Sequence, residues 1–168
     1  ARAAGSDDPV VVERAFTAAL MAGDVTGAAA LASDTRTSDG VQRLGRIVAA
    51  VEALATGRVK VAEASLSTET PVYPHRAAAA LLQPWVAAAN GKTEESLVRP
   101  SVRGDRSVDY FGQIGQAHLF ERAKRYDEAE TDFKALASGD SPSDIAVAAY
   151  GAFLERRGRR TEAVELYD

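Results

Sequence analysis

The sequence predicts an all-α domain of about five antiparallel helix pairs. Three observations carry that prediction. Tight-turn residues recur at positions 23, 57, 91, 124 and 158, at intervals of 34, 34, 33 and 34 residues. A small residue stands five positions after each turn: Ala28, Ala62, Ser96, Ala129 and Ala163. Composition agrees, since 34 of 168 residues are Ala and only 7% are aromatic, which favours helices packed closely through small side chains. A fixed period of this length is the signature of stacked supersecondary units, and no segment alternates as a strand between hairpin turns.

The first unit begins at Asp8-Pro9, a capping carboxylate before a proline at the first helical position. Its helices span about 9–22 and 25–32, separated by Ala22-Gly23-Asp24. The second unit has helices at about 39–56 and 59–67. Leu44, Ile47, Val48, Val51 and Leu54 recur at helical spacing before Thr56-Gly57-Arg58. The third runs over about 74–90 and 93–98, with Pro74 in a first-turn position and Asn90-Gly91-Lys92 at the turn. Pro84 lies inside its first helix, where it removes a hydrogen bond, and Pro100 clips its second. An irregular bend is expected over about 84–107. The fourth unit, about 107–123 and 126–137, turns at Ala123-Lys124-Arg125. Lys124 stands where the other turns have Gly, so a tight turn there needs some strain or a slightly different geometry. The fifth opens at Ser141-Pro142 and spans about 142–157 and 160–167 around Arg157-Gly158-Arg159. The whole chain, 1–168, therefore reads as one domain with units of about 9–38, 39–72, 73–106, 107–140 and 141–168.

Charge and motif content exclude several functions. The net charge is −4 and neither half of the chain is basic, which argues against a nucleic-acid footprint. No apolar run approaches the ~20 residues of a membrane span. The opening residues ARAAGSDD contain no apolar signal segment. Cysteine is absent, so there is no thiolate metal site or cysteine nucleophile. His75 and His118 are far apart, and neither shows a metal-ligand pattern on its face; Arg122 lies four residues after His118. No metal site, catalytic residue or cofactor is expected, and the protein is not read as an enzyme. No phosphate loop or nucleophile elbow occurs, and Gly112 and Gly115 read as close-packing positions. Glu94-Glu95 and Asp127-Glu128-Glu130-Asp132 fall near helix N-termini, where negative charge is favourable. The cluster Arg156-Arg157-Gly158-Arg159-Arg160 reads mainly as cations at a helix C-terminus.

The fourth and fifth units resemble the tetratricopeptide repeat family. The fourth carries Gln116-Ala117, Phe120, Tyr126-Asp127-Glu128-Ala129-Glu130 and Phe133; the fifth carries Tyr150-Gly151, Leu154 and Thr161-Glu162-Ala163-Val164-Glu165-Leu166-Tyr167. The first three units match less well, and Pro84 stands where the family often has Gly. The resemblance, which extends over nearly the whole chain, implies a right-handed α-solenoid with a concave surface built from the first helix of each pair. Carried onto this sequence, it places Leu44, Ile47, Val51, Leu81, Trp85, Phe111, Ile114, His118 and Arg122 on that surface. The Lys/Asn clamp that some relatives use for a peptide's terminal carboxylate is absent. The implied function is a protein–protein interaction scaffold that holds a peptide or helix in a mostly apolar groove. Two alternatives stay open: a structural segment packed against the rest of its own full-length chain, and a non-catalytic regulatory subunit of an enzyme. In both the scaffold and the self-packed reading the same side chains face inward, and a tightly wound array would bury them. The Ala-rich style resembles helical-repeat proteins of bacteria with GC-rich genomes, with the compartment open between cytoplasm and periplasm. The last helix is short and apolar on one side, so the chain is expected to be a piece of a longer array, with fraying or self-association at uncapped ends.

Overall fold

The computed structural model describes residues 8–32, 37–67, 75–138 and 142–167. These form α1 (Pro9–Met21), α2 (Val25–Ala32), α3 (Asp39–Ala55), α4 (Val59–Ser67), α5 (His75–Ala89), α6 (Thr93–Ser96), α7 (Arg106–Arg122), α8 (Tyr126–Ala137), α9 (Asp144–Arg156) and α10 (Arg160–Tyr167). The described residues contain no strand. The fold is all-helical, and each helix packs on the next from α1 to α6 and again from α7 to α10. In addition α3 packs on α5, and α5 on α7, so three of the first helices lie side by side.

One backbone device makes all five turns. At each, the turn residue is left-handed: Gly23, Gly57, Gly91 and Gly158 have φ of 74°, 74°, 77° and 77°, and Lys124 has 62°. The turn amide bonds the carbonyl three residues back, and the next amide bonds the one five back: Gly23 N–H to Leu20 and Asp24 N–H to Ala19, and likewise through Lys124 to Glu121 and Arg125 to Phe120. These paired bonds satisfy carbonyls that a helix end would leave open. The residue after the turn is already the N-cap of the next helix. Asp24 does this with its carboxylate, which accepts from Gly27 N–H at 2.8 Å. Lys92, Arg125 and Arg159 instead pair with Glu95, Glu128 and Glu162 three residues on.

Helix starts follow the expected chemistry with one correction. The Asp8 carboxylate accepts from Val10 N–H at 2.9 Å, and Pro9 opens α1. The last first-helix does not begin at Pro142. Its N-cap is Ser143, whose hydroxyl accepts from Ala146 N–H at 3.2 Å, because a residue before the helix can offer that bond and a proline cannot. Ser141 and Pro74 lie outside the described residues. Pro84 is accommodated inside α5 as a buried residue. Pro100 follows an α6 of only four residues.

Three buried clusters lie along the chain. Phe16, Ala28 and Val48 form the first, and Ala50, Ala53, Ala62, Leu66, Ala79 and Val86 the second. The third is the largest and joins α7 to α10 through Phe133, Phe153, Leu154, Tyr150 and alanines 117, 129, 137 and 163. Phe133 is fully buried, with ring centroids of His118 and Phe153 at 4.9 Å and 5.3 Å. Burying one such side chain contributes about 1.5–3 kcal/mol. The five small residues after the turns are all buried. Gly45 serves α3 in the same way: a Cβ there would sit 2.5 Å from the Ala32 methyl, so α2 and α3 meet where α3 has no side chain.

Candidate functional site

The concave candidates do not share one environment. Leu44 packs against the first buried cluster and Ile47 against the second, so these two serve the core. Here α3 is drawn tightly against α2 at Gly45. Further along, one side of α3 packs on α4 through the buried Ala50, Ala53 and Ala62. An open depression of about 510 Å³ lies between the C-terminal halves of α3 and α5 and the end of α7. Val51, Leu54, Ala55, Leu82, Trp85, Ala88 and Ala89 line it, with Gly57 and Val59 at one lip and Arg122 at another. The volume lies within the 300–1,000 Å³ range of ordinary ligand sites.

Trp85 also closes a second, smaller cavity of about 70 Å³, shared with Leu81, Pro84, Phe111, Gly112, Gly115 and Leu119. Of the predicted residues, Val51, Trp85 and Arg122 therefore meet in one place, and Leu81, Trp85 and Phe111 in the adjoining one. Phe111 is exposed and Ile114 is half-buried on α7. Gly115 faces the indole: a Cβ there would lie 3.5 Å from Trp85 Nε1, ordinary contact. Gly112 meets Pro100 of the loop before α7, where a Cβ would come within 3.0 Å of its ring, so its close approach is to a loop and not to a helix.

Among the described residues, Arg122 is the only charged one lining the larger depression. It is exposed and makes no ion pair among the described residues. Its neighbour Glu121 is committed elsewhere: Arg156 Nε and Nη2 donate to its two carboxylate oxygens, each at 2.8 Å, and tie α9 to α7. His118, on the same helix, has Glu121 three residues on as its charged neighbour, with Nδ1 to Oε2 at 3.9 Å. Burial, reinforced by Arg156, holds the His118 imidazole below its ordinary value, against a smaller opposing pull from Glu121.

Three of the four arginines in the cluster, Arg156, Arg157 and Arg159, are engaged within the fold. Arg156 is held by Glu121, Arg157 lies 3.7 Å over the Tyr126 ring, and Arg159 donates to Glu130 at 2.7 Å and to Glu162 at 2.6 Å. Glu130 also accepts from the Tyr150 hydroxyl at 3.0 Å. The Arg159 bond, more than the Tyr150 one, holds its carboxyl below the usual range. Glu130 and Asp132 are thus bridges between helices and not helix-start charges. Asp132 accepts from Arg99 at 2.9 Å and Gln113 at 3.1 Å, while Arg99 Nε donates to Gln116 Oε1 at 2.7 Å. The Gln116 amide in turn donates to the Leu97 carbonyl. This network was not readable from the sequence, since its bonded partners are 17 to 33 residues apart with no local pattern.

A further depression of about 450 Å³ opens on the other side of α5 among Glu63, Pro84, Lys92, Glu95 and Arg99. Its cations are paired internally, Lys92 with Glu95 and Arg99 with Asp132. No group of three or more His, Cys, Asp or Glu suited to a metal ion occurs among the described residues, and no described helix is long and apolar enough to cross a membrane. No family model, curated protein or solved structure shows a significant match to the chain.

Proposed function

We propose that the ten helices form one right-handed α-solenoid of tetratricopeptide type, and that it acts as a protein-interaction scaffold. The support for the solenoid is the recurrence of one turn geometry at a near-constant spacing, together with the stacking of α3, α5 and α7. The support for the scaffold is a single observation. Between those helices lies an open depression lined almost wholly by apolar side chains, including the chain's one tryptophan. Leaving such a surface in water forgoes burial worth roughly 25 cal/mol per Å². A peptide or helix from a partner recovers it.

The test uses Val51, whose side chain lines the depression without belonging to a fully buried cluster. Peptides selected on the folded domain should shift amide resonances in α3, α5 and the end of α7, and move the Trp85 emission. Val51→Glu and Trp85→Ala should abolish that binding with the far-ultraviolet circular dichroism unchanged. Selected peptides that map instead to α8–α10 would refute the assignment. So would early melting of both variants, because the depression would then be core.

A further inference from the structure

The depression carries one cation and no anion. Its floor and walls are Val, Leu, Ala, Gly and Trp, which offer almost no polar group to a ligand. Arg122 stands on its rim, and the carboxylate beside it in sequence, Glu121, is taken by Nε and Nη2 of Arg156. The C-terminal ends of α3, α5 and α7 open here, and such ends ordinarily attract cations. In this fold two carbonyls of each last turn, those of Ala53 and Leu54, Ala87 and Ala88, and Phe120 and Glu121, are bonded by the amides of the following turns. The basic residues that follow the three turns, Arg58, Lys92 and Arg125, are each paired with a glutamate, Glu52, Glu95 and Glu128. What faces an incoming ligand is therefore an apolar basin with an unneutralised guanidinium at its edge.

We infer that the depression recognises a peptide segment with a large apolar side chain and an Asp or Glu side chain within four residues of it. The apolar side chain enters against Trp85 and Val51, and the carboxylate meets Arg122. A guanidinium suits this role because its planar fork can donate two parallel bonds to one carboxylate. A segment with Lys or Arg in place of the acid would set like charge against Arg122 and find no carboxylate in the basin.

This inference rests on the scaffold reading above, and the experiment separates the two. Random 12-residue peptides displayed with their C-termini fused to the coat protein, so that only side-chain carboxylates are offered, are selected on the wild-type domain and on Arg122→Gln. Peptides enriched on the wild type should pair a large apolar residue with Asp or Glu within four positions, and the acidic preference should vanish on Arg122→Gln. A synthetic peptide from the wild-type pool should lose about fivefold in affinity on Arg122→Gln, the size of a partly exposed ion pair. Its own acid-to-amide replacement should cost the same, and the two changes together no more than either alone. Apolar peptides enriched without an acidic preference would overturn this inference and leave the scaffold reading standing. No enrichment above that on Trp85→Ala would overturn both. Arg122 is exposed, and unchanged helicity of Arg122→Gln establishes that the comparison is between folded proteins.

Discussion

Replacing Lys124 by glycine should stabilise the protein. Lys124 is the one non-glycine among the described residues with positive φ, at 62°. It occupies the same left-handed position that Gly23, Gly57, Gly91 and Gly158 fill in the other turns. For an L-residue that conformation costs about 1–2 kcal/mol. Glycine removes the cost but adds unfolded-state entropy worth about 0.4–1 kcal/mol. The Lys124 side chain is exposed and makes no ion pair among the described residues, so little contact is lost. The net gain is about 0.5–1 kcal/mol. For a chain of this size it corresponds to a rise of about 1–4 °C in Tm. Lys124→Ala is the control, because alanine keeps the penalty and should show no gain. The reciprocal change, Gly158→Ala, should lose a similar amount, since a Cβ there meets nothing within 4 Å and its cost is purely conformational. Urea titrations followed at 222 nm give the midpoints. A neutral Lys124→Gly together with a neutral Gly158→Ala would refute the account of the turns.

Gly151 lies directly against the Tyr167 ring, and a Cβ there would overlap its outer atoms. Gly151→Ala should therefore cost about 1 kcal/mol and raise hydrogen exchange across α10, and adding Tyr167→Ala should remove the Gly151 effect. Phe133→Ala, at the centre of the largest cluster, should cost about 3–5 kcal/mol, read as a fall in the urea midpoint; a loss below 1 kcal/mol would mean that the α7–α10 core is not packed as described. The His118 pKa is lowered in the fold from about 6.5, so the unfolded chain binds the proton first and stability should fall as pH drops below about 6.5. That slope ends once the lower folded value is passed. His118→Gln should flatten it, and an unchanged pH profile would show that His118 is not responsible.

The parts of the fold legible in the sequence were those set by local backbone chemistry. A left-handed residue must follow each first helix, and Gly marks it four times, so helix ends were placed to within two residues. Lys124 was legible only through its phase, because its identity points away from the conformation it adopts. The start of α9 was misplaced for the opposite reason: Ser141-Pro142 and Ser143 both offer local capping signals, and Ser143 supplies the actual bond. In the candidate site, periodicity identified which residues sit on first helices. It could not say how far apart those helices lie at each level. Leu44 and Ile47 share a face with Val51, yet Leu44 packs against the first cluster and Ile47 against the second, while Val51 lines the depression. Likewise Glu130 and Asp132 read as local helix-start charges, and only the packing of distant segments shows what neutralises them.

The small residues five positions after the turns set the gap between paired helices, and this reaches the depression from behind. Ala62 is fully buried on α4, in one cluster with Ala50 and Ala53 of α3. Gly57 and Val59, at the start of the same helix, form a lip of the depression. A side chain larger than a methyl at position 62 would act as a wedge between α3 and α4. Because α4 is short and joined to α3 by a tight turn, the wedge would tilt it about that turn and carry Val59 with it. The aperture of the site is thus adjustable from a position no ligand touches, and a series such as Ala62→Gly, Ser and Val would grade its width without altering a single lining side chain.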